Sequence, residues 1–165
     1  MADANPTPQQ IDEALDVLAE FMEETLVVLD VGKNLEVDLR YTDGRIVGEL
    51  DGDADDIALI IGKRGQTLDA IQYVANAVLA TQCEVRTGAW IDAQGYRKRR
   101  GSQLEKVAER AVEDVLESGR PVELDPMTAS ERKVIHLHLK DHPDVVTESA
   151  GREPNRRLVV APRSE

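Results

Sequence analysis

The spacing of apolar residues predicts that the chain opens with a helix. One buried face recurs at three- and four-residue steps, through Ile11, Leu15, Leu18, Met22 and Leu26. Thr7 and Pro8 are typical of the N-cap and first turn, and Gln10 completes a capping box with Thr7. We expect this helix to end near Leu29.

The apolar period then changes to two, which predicts a β-hairpin. Residues 35–40 alternate between apolar and charged positions, as in a strand with one face in water. Asp43-Gly44 is a turn signal, and the sequence RIVGEL at 45–50 returns as the second strand.

Two apolar helices and a third strand follow. The first helix lies around Ile57–Ile61, and the second has an inward face at Leu68, Ile71, Ala75, Val78 and Leu79. The third strand is predicted from alternation at Val85, Thr87, Ala89 and Ile91. The predicted order is therefore α-β-β-α-α-β.

The second half predicts a long helix, a shorter helix and two strands. Residues 97–118 have helical spacing and are followed by Gly119 and Pro121. The capping box TASE at 128–131 starts a helix to about Lys140, and strands are predicted at 144–149 and 156–162. We predict an α+β protein with two domains, residues 9–95 and residues 96–165.

Charge is distributed unevenly along this acidic chain. The net charge is -12, yet residues 97–165 hold 14 Lys/Arg against 13 Asp/Glu, whereas residues 1–96 hold 6 against 19. Cations cluster at RKRR (97–100), at Arg132 with Lys133, and at 152–157. This balance disfavours indiscriminate nucleic-acid binding and favours phosphate contact at chosen places.

Composition excludes several other classes. With 3% aromatic residues, the chain cannot build an array of stacked rings for bases. Cys83 is the single cysteine, and the sequence shows neither a signal peptide nor a membrane span, so we expect a cytoplasmic protein. The acidic loop at 51–56 lacks EF-hand spacing, and His138 and His142 lack the glutamate of a zinc motif, so we predict no metal and no cofactor.

Four residues between the two short helices form the first candidate site, Gly62, Lys63, Arg64 and Gly65. A break there exposes the N-terminus of the next helix, glycine lets a sugar-phosphate chain approach the backbone, and the two cations face the same phosphates. We interpret the break as a backbone clamp. A P-loop is excluded because Lys63 is followed by arginine, and a tight turn with exposed cations stays open as the alternative.

The sequence IIGKRG between two apolar helices, within the α-β-β-α-α-β order, resembles a KH domain of the bacterial topology over roughly residues 9–93. The resemblance implies that the Gly-x-x-Gly loop clamps about four nucleotides of single-stranded RNA or DNA, with bases in an apolar groove. Ile57, Ile60, Ile61 and Leu68 would form groove or core, and the sequence does not divide them.

The second candidate site is the pair Arg132 and His136, four residues apart on one helical face. MTASERKVIHLHL followed by VVTESAGREPNRRLVV is similar to the family of domains defined by Arg-x-x-x-His. That family binds single-stranded nucleic acid, so the resemblance implies phosphate or base contacts by Arg132, His136 and either Arg156 or Arg157.

A KH domain followed by an Arg-x-x-x-His domain resembles the Jag family, also called KhpB or SpoIIIJ-associated protein. Many members carry a further N-terminal domain, whereas this sequence starts almost at the first KH helix, so that domain's functions are not transferred. The resemblance implies a non-catalytic single-stranded RNA-binding protein, acting as a post-transcriptional regulator or RNA chaperone, without a membrane partner.

Two alternatives compete with RNA binding. A protein-interaction adaptor is favoured by the acidic first half, and the resemblance adds a smaller KH protein as partner and links to cell division and envelope control. A nuclease using His136 is disfavoured because the sequence offers no His and carboxylate pair at a recognisable spacing and no nucleophile motif.

Overall fold

A computed structural model describes residues 6–31, 34–84 and 87–163. The chain forms two compact units divided between Tyr96 and Arg97. Each unit contains a three-stranded sheet with helices packed against it. The predicted α+β class is confirmed.

The first unit follows the predicted element order. It consists of α1 (Pro8–Val28), β1 (Glu36–Thr42), β2 (Arg45–Asp51), α2 (Ala54–Ile61), a 3-10 turn (Lys63–Gly65), α3 (Gln66–Gln82) and β3 (Ala89–Ala93). The capping box at the start of α1 is confirmed, because Gln10 N donates to Thr7 Oγ1 at 3.3 Å and Thr7 N donates to Gln10 Oε1 at 2.9 Å. Ala14, Leu18, Met22 and Leu26 form the buried face of α1.

The first sheet has the order β1-β2-β3. β1 and β2 are antiparallel, and Thr42 pairs with Arg45 across the predicted hairpin turn. Asp43 and Gly44 have φ values of 50° and 78°, as a two-residue turn with two positive φ angles requires. β3 lies parallel to β2, and both contribute buried residues to the core formed with α1 and α3.

The third strand begins later than predicted. Thr87 lies outside the strand, where its hydroxyl donates to Gly44 O at 3.1 Å, and the predicted position Val85 lies outside the described residues. The pairing of β2 with β3 starts at Ile46 and Ala89, because β2 itself begins only after the hairpin turn. Upstream residues therefore have no β2 residue to pair with.

Side chains of α3 cover the outer edge of β3. Asn76 Nδ2 donates to Ala89 O at 3.1 Å, and Ala89 N donates to Asn76 Oδ1 at 2.9 Å. Ile91 N donates to Gln72 Oε1 at 3.1 Å. These amides take the place of a fourth strand and protect the edge from pairing with another chain.

The second unit contains one strand that the sequence did not predict. Its elements are α4 (Tyr96–Ser118), β4 (Val122–Glu123), α5 (Ala129–Leu139), β5 (Val145–Ala150) and β6 (Arg157–Pro162). The sheet is antiparallel in the order β4-β6-β5. β4 was missed because two residues carry no period, and only its pairing with β6 defines it as a strand.

Side chains from α4, α5 and this sheet form the core of the second unit, and Val115, Ile135, Val145, Leu158 and Val160 are almost completely buried. In the described part of the chain, no helix is both long and apolar enough to cross a membrane.

Candidate nucleic-acid interface

The break between α2 and α3 is a turn with three positive φ angles. α2 ends at Ile61, and Gly62 N donates to Ala58 O at 2.9 Å. Gly62 has φ 68° and ψ -173°, a combination that essentially only glycine adopts. Arg64 (φ 56°) and Gly65 (φ 77°) are left-handed, and α3 starts at Gln66. The predicted interruption of the helix is therefore present.

The two glycines make room for protein side chains. A Cβ atom built on Gly62 would overlap the Thr67 hydroxyl, and one built on Gly65 would lie 2.9 Å from Tyr96 Cε1. Gly65 is buried, whereas Gly62 is half-buried. The interpretation that both missing side chains open the backbone to a ligand is wrong, because Thr67 and Tyr96 already occupy that space.

Several amides of the turn are also engaged. Besides Gly62, Gly65 N donates to Gly62 O at 3.4 Å, and Gln66 N donates to Lys63 O. The expectation that the turn offers unpaired amides is wrong for these three residues. Lys63 is exposed and Arg64 is half-buried, so positive charge is the feature that the turn presents to solvent.

The structure assigns the apolar residues around the turn mainly to the core. Ile57, Ile60 and Leu68 are no more than 4% exposed and pack in the core of the first unit. Ile61 is partly buried against the same core. Leu59 on α2 is 59% exposed, so it is an apolar side chain beside the turn that a base could contact.

The second site is built on the N-terminal half of α5. The predicted capping box is present: Glu131 N donates to Thr128 Oγ1 at 3.3 Å, and Thr128 N donates to Glu131 Oε2 at 2.9 Å. The buried Glu131 carboxylate also accepts from Arg100 Nε at 2.7 Å. Arg100, from the cationic RKRR run, therefore fixes α5 to α4.

An open pocket of about 470 Å³ lies between α5 and the second sheet. The cationic and hydroxyl side chains that line it are those of Arg132, Lys133, His136, Thr147, Ser149 and Arg156. The structure thus brings together three predicted site residues, Arg132, His136 and Arg156. One carboxylate, that of Glu148, also lines the pocket.

Arg132 is buried and bonded within the protein. Its side chain is 8% exposed, and Nη1 donates to Met127 O at 2.6 Å and to Arg156 O at 3.5 Å. Nη2 donates to Glu153 Oε1 at 2.8 Å. The prediction of a freely available, two-pronged phosphate contact at Arg132 is therefore wrong for the protein without a ligand, because both terminal nitrogens of its guanidinium already have protein partners.

His136 is exposed and held by one contact. Its Nδ1 atom lies 2.6 Å from Thr147 Oγ1 on β5, and the hydroxyl and the ring nitrogen share a hydrogen bond. The contact fixes the ring across the pocket and leaves Nε2 as the nitrogen that can meet a ligand.

The neighbouring arginines 156 and 157 have different surroundings. Arg156 is exposed at the pocket, and its carbonyl oxygen accepts from Met127 N at 3.2 Å. Arg157 does not line the pocket. Its buried Nε atom lies 2.7 Å from Glu123 Oε2 of β4 in an ion pair without good hydrogen-bond alignment.

Sequence reasoning did not single out Lys133 and Glu153. Lys133 is exposed and lies three residues before His136 on the same helical face, a spacing that could have indicated it. Glu153 is not marked by any local period, because only folding brings it to Arg132. Across residues 6–31, 34–84 and 87–163, no group of three or more His, Cys, Asp or Glu side chains is arranged to hold a metal.

Comparison with known proteins agrees with this two-part arrangement. The KhpA/KhpB KH domain family matches residues 18–87, and the family of Arg-x-x-x-His domains matches residues 102–162. The RNA-binding protein KhpB of Clostridium symbiosum is 33% identical over 150 residues, which cover 91% of this chain and 67% of that protein. The chain belongs to the KhpB family.

Two further relatives carry the same name, RNA-binding protein KhpB. That of Lactiplantibacillus plantarum is 34% identical over 152 residues, covering 92% of this chain and 46% of the relative. That of Bacillus subtilis is 36% identical over 106 residues, covering 63% of this chain and 51% of the relative. The chain therefore spans about two thirds of the Clostridium protein and about half of the other two.

Proposed function

We propose that this chain is a non-catalytic, cytoplasmic protein that binds single-stranded RNA through two sites. The first is the turn at Gly62, Lys63, Arg64 and Gly65, and the second is the pocket of Lys133, His136 and Arg156 with Arg132 at its inner wall. The names of its relatives support RNA as the ligand, since each is an RNA-binding protein.

The observation that carries the proposal is the lining of the second-unit pocket. Two exposed cations and an exposed imidazole surround it together with the Thr147 and Ser149 hydroxyls, although the chain as a whole has a net charge of -12. Cations and hydroxyl donors are the side chains that bind phosphate oxygens. An acidic molecule with such a pocket favours phosphate there and repels it elsewhere.

The first site contributes charge and position. Because the glycines pack against Thr67 and Tyr96, the turn acts through the exposed Lys63 and through Arg64, with Leu59 as an apolar neighbour. Each site offers only a few contacts. Two weak sites on one chain raise each other's effective concentration, so a strand that reaches both binds more tightly than either site alone allows.

The experiment is a fluorescence-anisotropy titration of a labelled oligouridine at several salt concentrations. Lys63→Asp with Arg64→Asp removes the first site, and Lys133→Asp with Arg156→Asp removes the second. Each pair should weaken binding about tenfold or more, and the salt slope should fall by roughly 0.7 for each lost phosphate contact.

A matched control separates a local contact from net charge. Lys106→Asp with Arg110→Asp makes the same change in charge on exposed positions of α4. That variant should lose less than about threefold in affinity, because exposed charges beyond a Debye length are largely screened. Equal losses in all three double variants would contradict two specific sites.

A protein-interaction adaptor is the second candidate function, and the charge of α1 favours it. Its exposed face carries only acidic charge, at Asp12, Glu13, Asp16, Glu20, Glu23 and Glu24, and Val27 and Val28 are exposed at its end. This face would suit a cationic protein partner, and the family resemblance adds a smaller KH protein. Crosslinking in cells that recovers protein partners without RNA fragments would favour the adaptor over RNA binding.

A further inference from the structure

The arginine of the second-unit pocket already holds an anion, the carboxylate of Glu153. Arg132 Nη2 donates to Glu153 Oε1 at 2.8 Å, and Arg132 itself lines the pocket. A guanidinium fork binds carboxylate and phosphate oxygens with similar geometry. A carboxylate at this position therefore resembles a phosphate group bound at the same nitrogen.

Arg132 does not depend on Glu153 for its position. Nη1 is held separately by the carbonyl oxygens of Met127, at 2.6 Å, and Arg156, at 3.5 Å. Because these contacts are made by the other terminal nitrogen, the guanidinium stays in the pocket wall when the carboxylate leaves. A departing carboxylate would leave an N–H group of a buried cation without an anion.

The two partners differ in exposure. The Arg132 side chain is 8% exposed, whereas that of Glu153 is 59% exposed. Glu153 can rotate into water and be hydrated at little cost, but Arg132 cannot. The ion pair is therefore suited to exchange of its anion and not of its cation.

We propose that Glu153 occupies the place of a phosphate on Arg132, and that a phosphodiester group of a bound strand displaces it. This inference rests on the proposed function of the same pocket. Glu153 is then a specificity residue, because only a ligand that brings its own anion replaces the lost contact. It also lowers the affinity, since the pocket accepts phosphate only in the fraction of molecules whose Arg132 is open.

The test is Glu153→Gln in the full chain, titrated with labelled oligouridine. The substitution weakens the hold on Arg132 without a change in side-chain size. Affinity should rise about threefold to tenfold, because an ion pair with one exposed partner closes the site in most but not all molecules. If Glu153 only braces the loop, Glu153→Gln leaves the affinity unchanged or lowers it, which would overturn the proposal.

Glu148→Gln is the matched control for charge. Glu148 lines the pocket itself, so the loss of its charge should help a polyanion at least as much if the effect is general electrostatics. Displacement at Arg132 predicts instead that Glu148→Gln gains less than about twofold, while Glu153→Gln gains more.

A second control tests dependence on the guanidinium. Arg132→Lys keeps the charge and removes the fork, so Glu153→Gln added to it should gain less than about twofold. A full gain in the lysine background would overturn the proposal. Thermal unfolding verifies that each variant is folded, and if Arg132→Lys is not folded, the comparison of Glu148→Gln with Glu153→Gln decides.

Failure of this inference is distinct from failure of the proposed function. If Lys133→Asp with Arg156→Asp leaves binding unchanged, the pocket does not bind RNA and both proposals fall. If that variant weakens binding but Glu153→Gln does not strengthen it, only the displacement of Glu153 is wrong. Repeating the Glu153→Gln titration with Lys63→Asp and Arg64→Asp present isolates the second site, where the gain should persist.

Discussion

The two candidate sites present their cations in opposite ways. At the turn, Lys63 is exposed and the neighbouring backbone is packed against Thr67 and Tyr96. In the second unit, Arg132 is buried and bonded to two carbonyl oxygens and one carboxylate, while Lys133 and Arg156 are exposed around it. A basic residue in a recognisable motif can therefore be a ligand contact, a structural anchor or both, and burial with existing partners separates these roles.

The same distinction applies to the glycines. A Gly-x-x-Gly spacing invites the interpretation that small residues admit a ligand, but here the space at both glycines is occupied from within the protein. The conformation of Gly62 independently requires glycine. Folding alone therefore accounts for both glycines, and binding must be tested at the cations.

Removal of the anchoring arginine should have the largest effect on stability. Arg132→Ala loses buried contacts to Met127 O, Arg156 O and Glu153 and should lower the free energy of unfolding by about 3 kcal/mol. Lys63→Ala, at an exposed position, should change it by less than about 0.5 kcal/mol. Urea unfolding measures both, and similar values for the two variants would break the contrast between anchor and exposed cation.

Glycine replacements at the turn should come next. Gly62→Ala should lower the free energy of unfolding by about 2 kcal/mol or more, since it combines a forbidden conformation with overlap against Thr67. Gly44 is the matched control: its φ is 78°, but a Cβ atom there would meet nothing within 4 Å. Gly44→Ala should lose only the conformational part, about 1 kcal/mol, and an equal loss at both glycines would argue against close packing at Gly62.

Two adjacent arginines give the smallest and most local comparison. Arg156→Ala should weaken binding of labelled oligouridine about threefold to tenfold, because it removes one phosphate contact. Arg157→Ala should leave the affinity within about twofold, since Arg157 pairs with Glu123 away from the pocket. Anisotropy titration at one fixed salt concentration compares them, and the reverse order would place the site on the other side of β6.

Most of the fold could be predicted because its signals are local. The capping boxes at Thr7 and Thr128, the Asp43-Gly44 turn and the break at Gly62 each depend on residues within a few positions of one another. The errors occurred where strand limits depend on distant partners. β3 starts where β2 becomes available to pair, and β4 is a strand only because β6 lies beside it.

The site was predictable in part for the same reason. Arg132 and His136 share a helical face, so their proximity follows from spacing alone. Arg156 reaches them through the pairing of β5 with β6 and the packing of α5 on that sheet, and the family resemblance indicated it without deciding between Arg156 and Arg157. The partners of Arg132, one of them 21 positions away in the sequence, had no local signal.

The sequence by itself determined the order of helices and strands within the described residues, apart from β4, and the neighbourhoods of the two basic motifs, because hydrophobic period and turn chemistry act over short distances. Only the tertiary structure decided which side chains fill the space at the glycines, which cations remain exposed, and that Glu153 is bonded to Arg132. Those outcomes depend on burial and on contacts between residues far apart in the chain, and no local pattern encodes them.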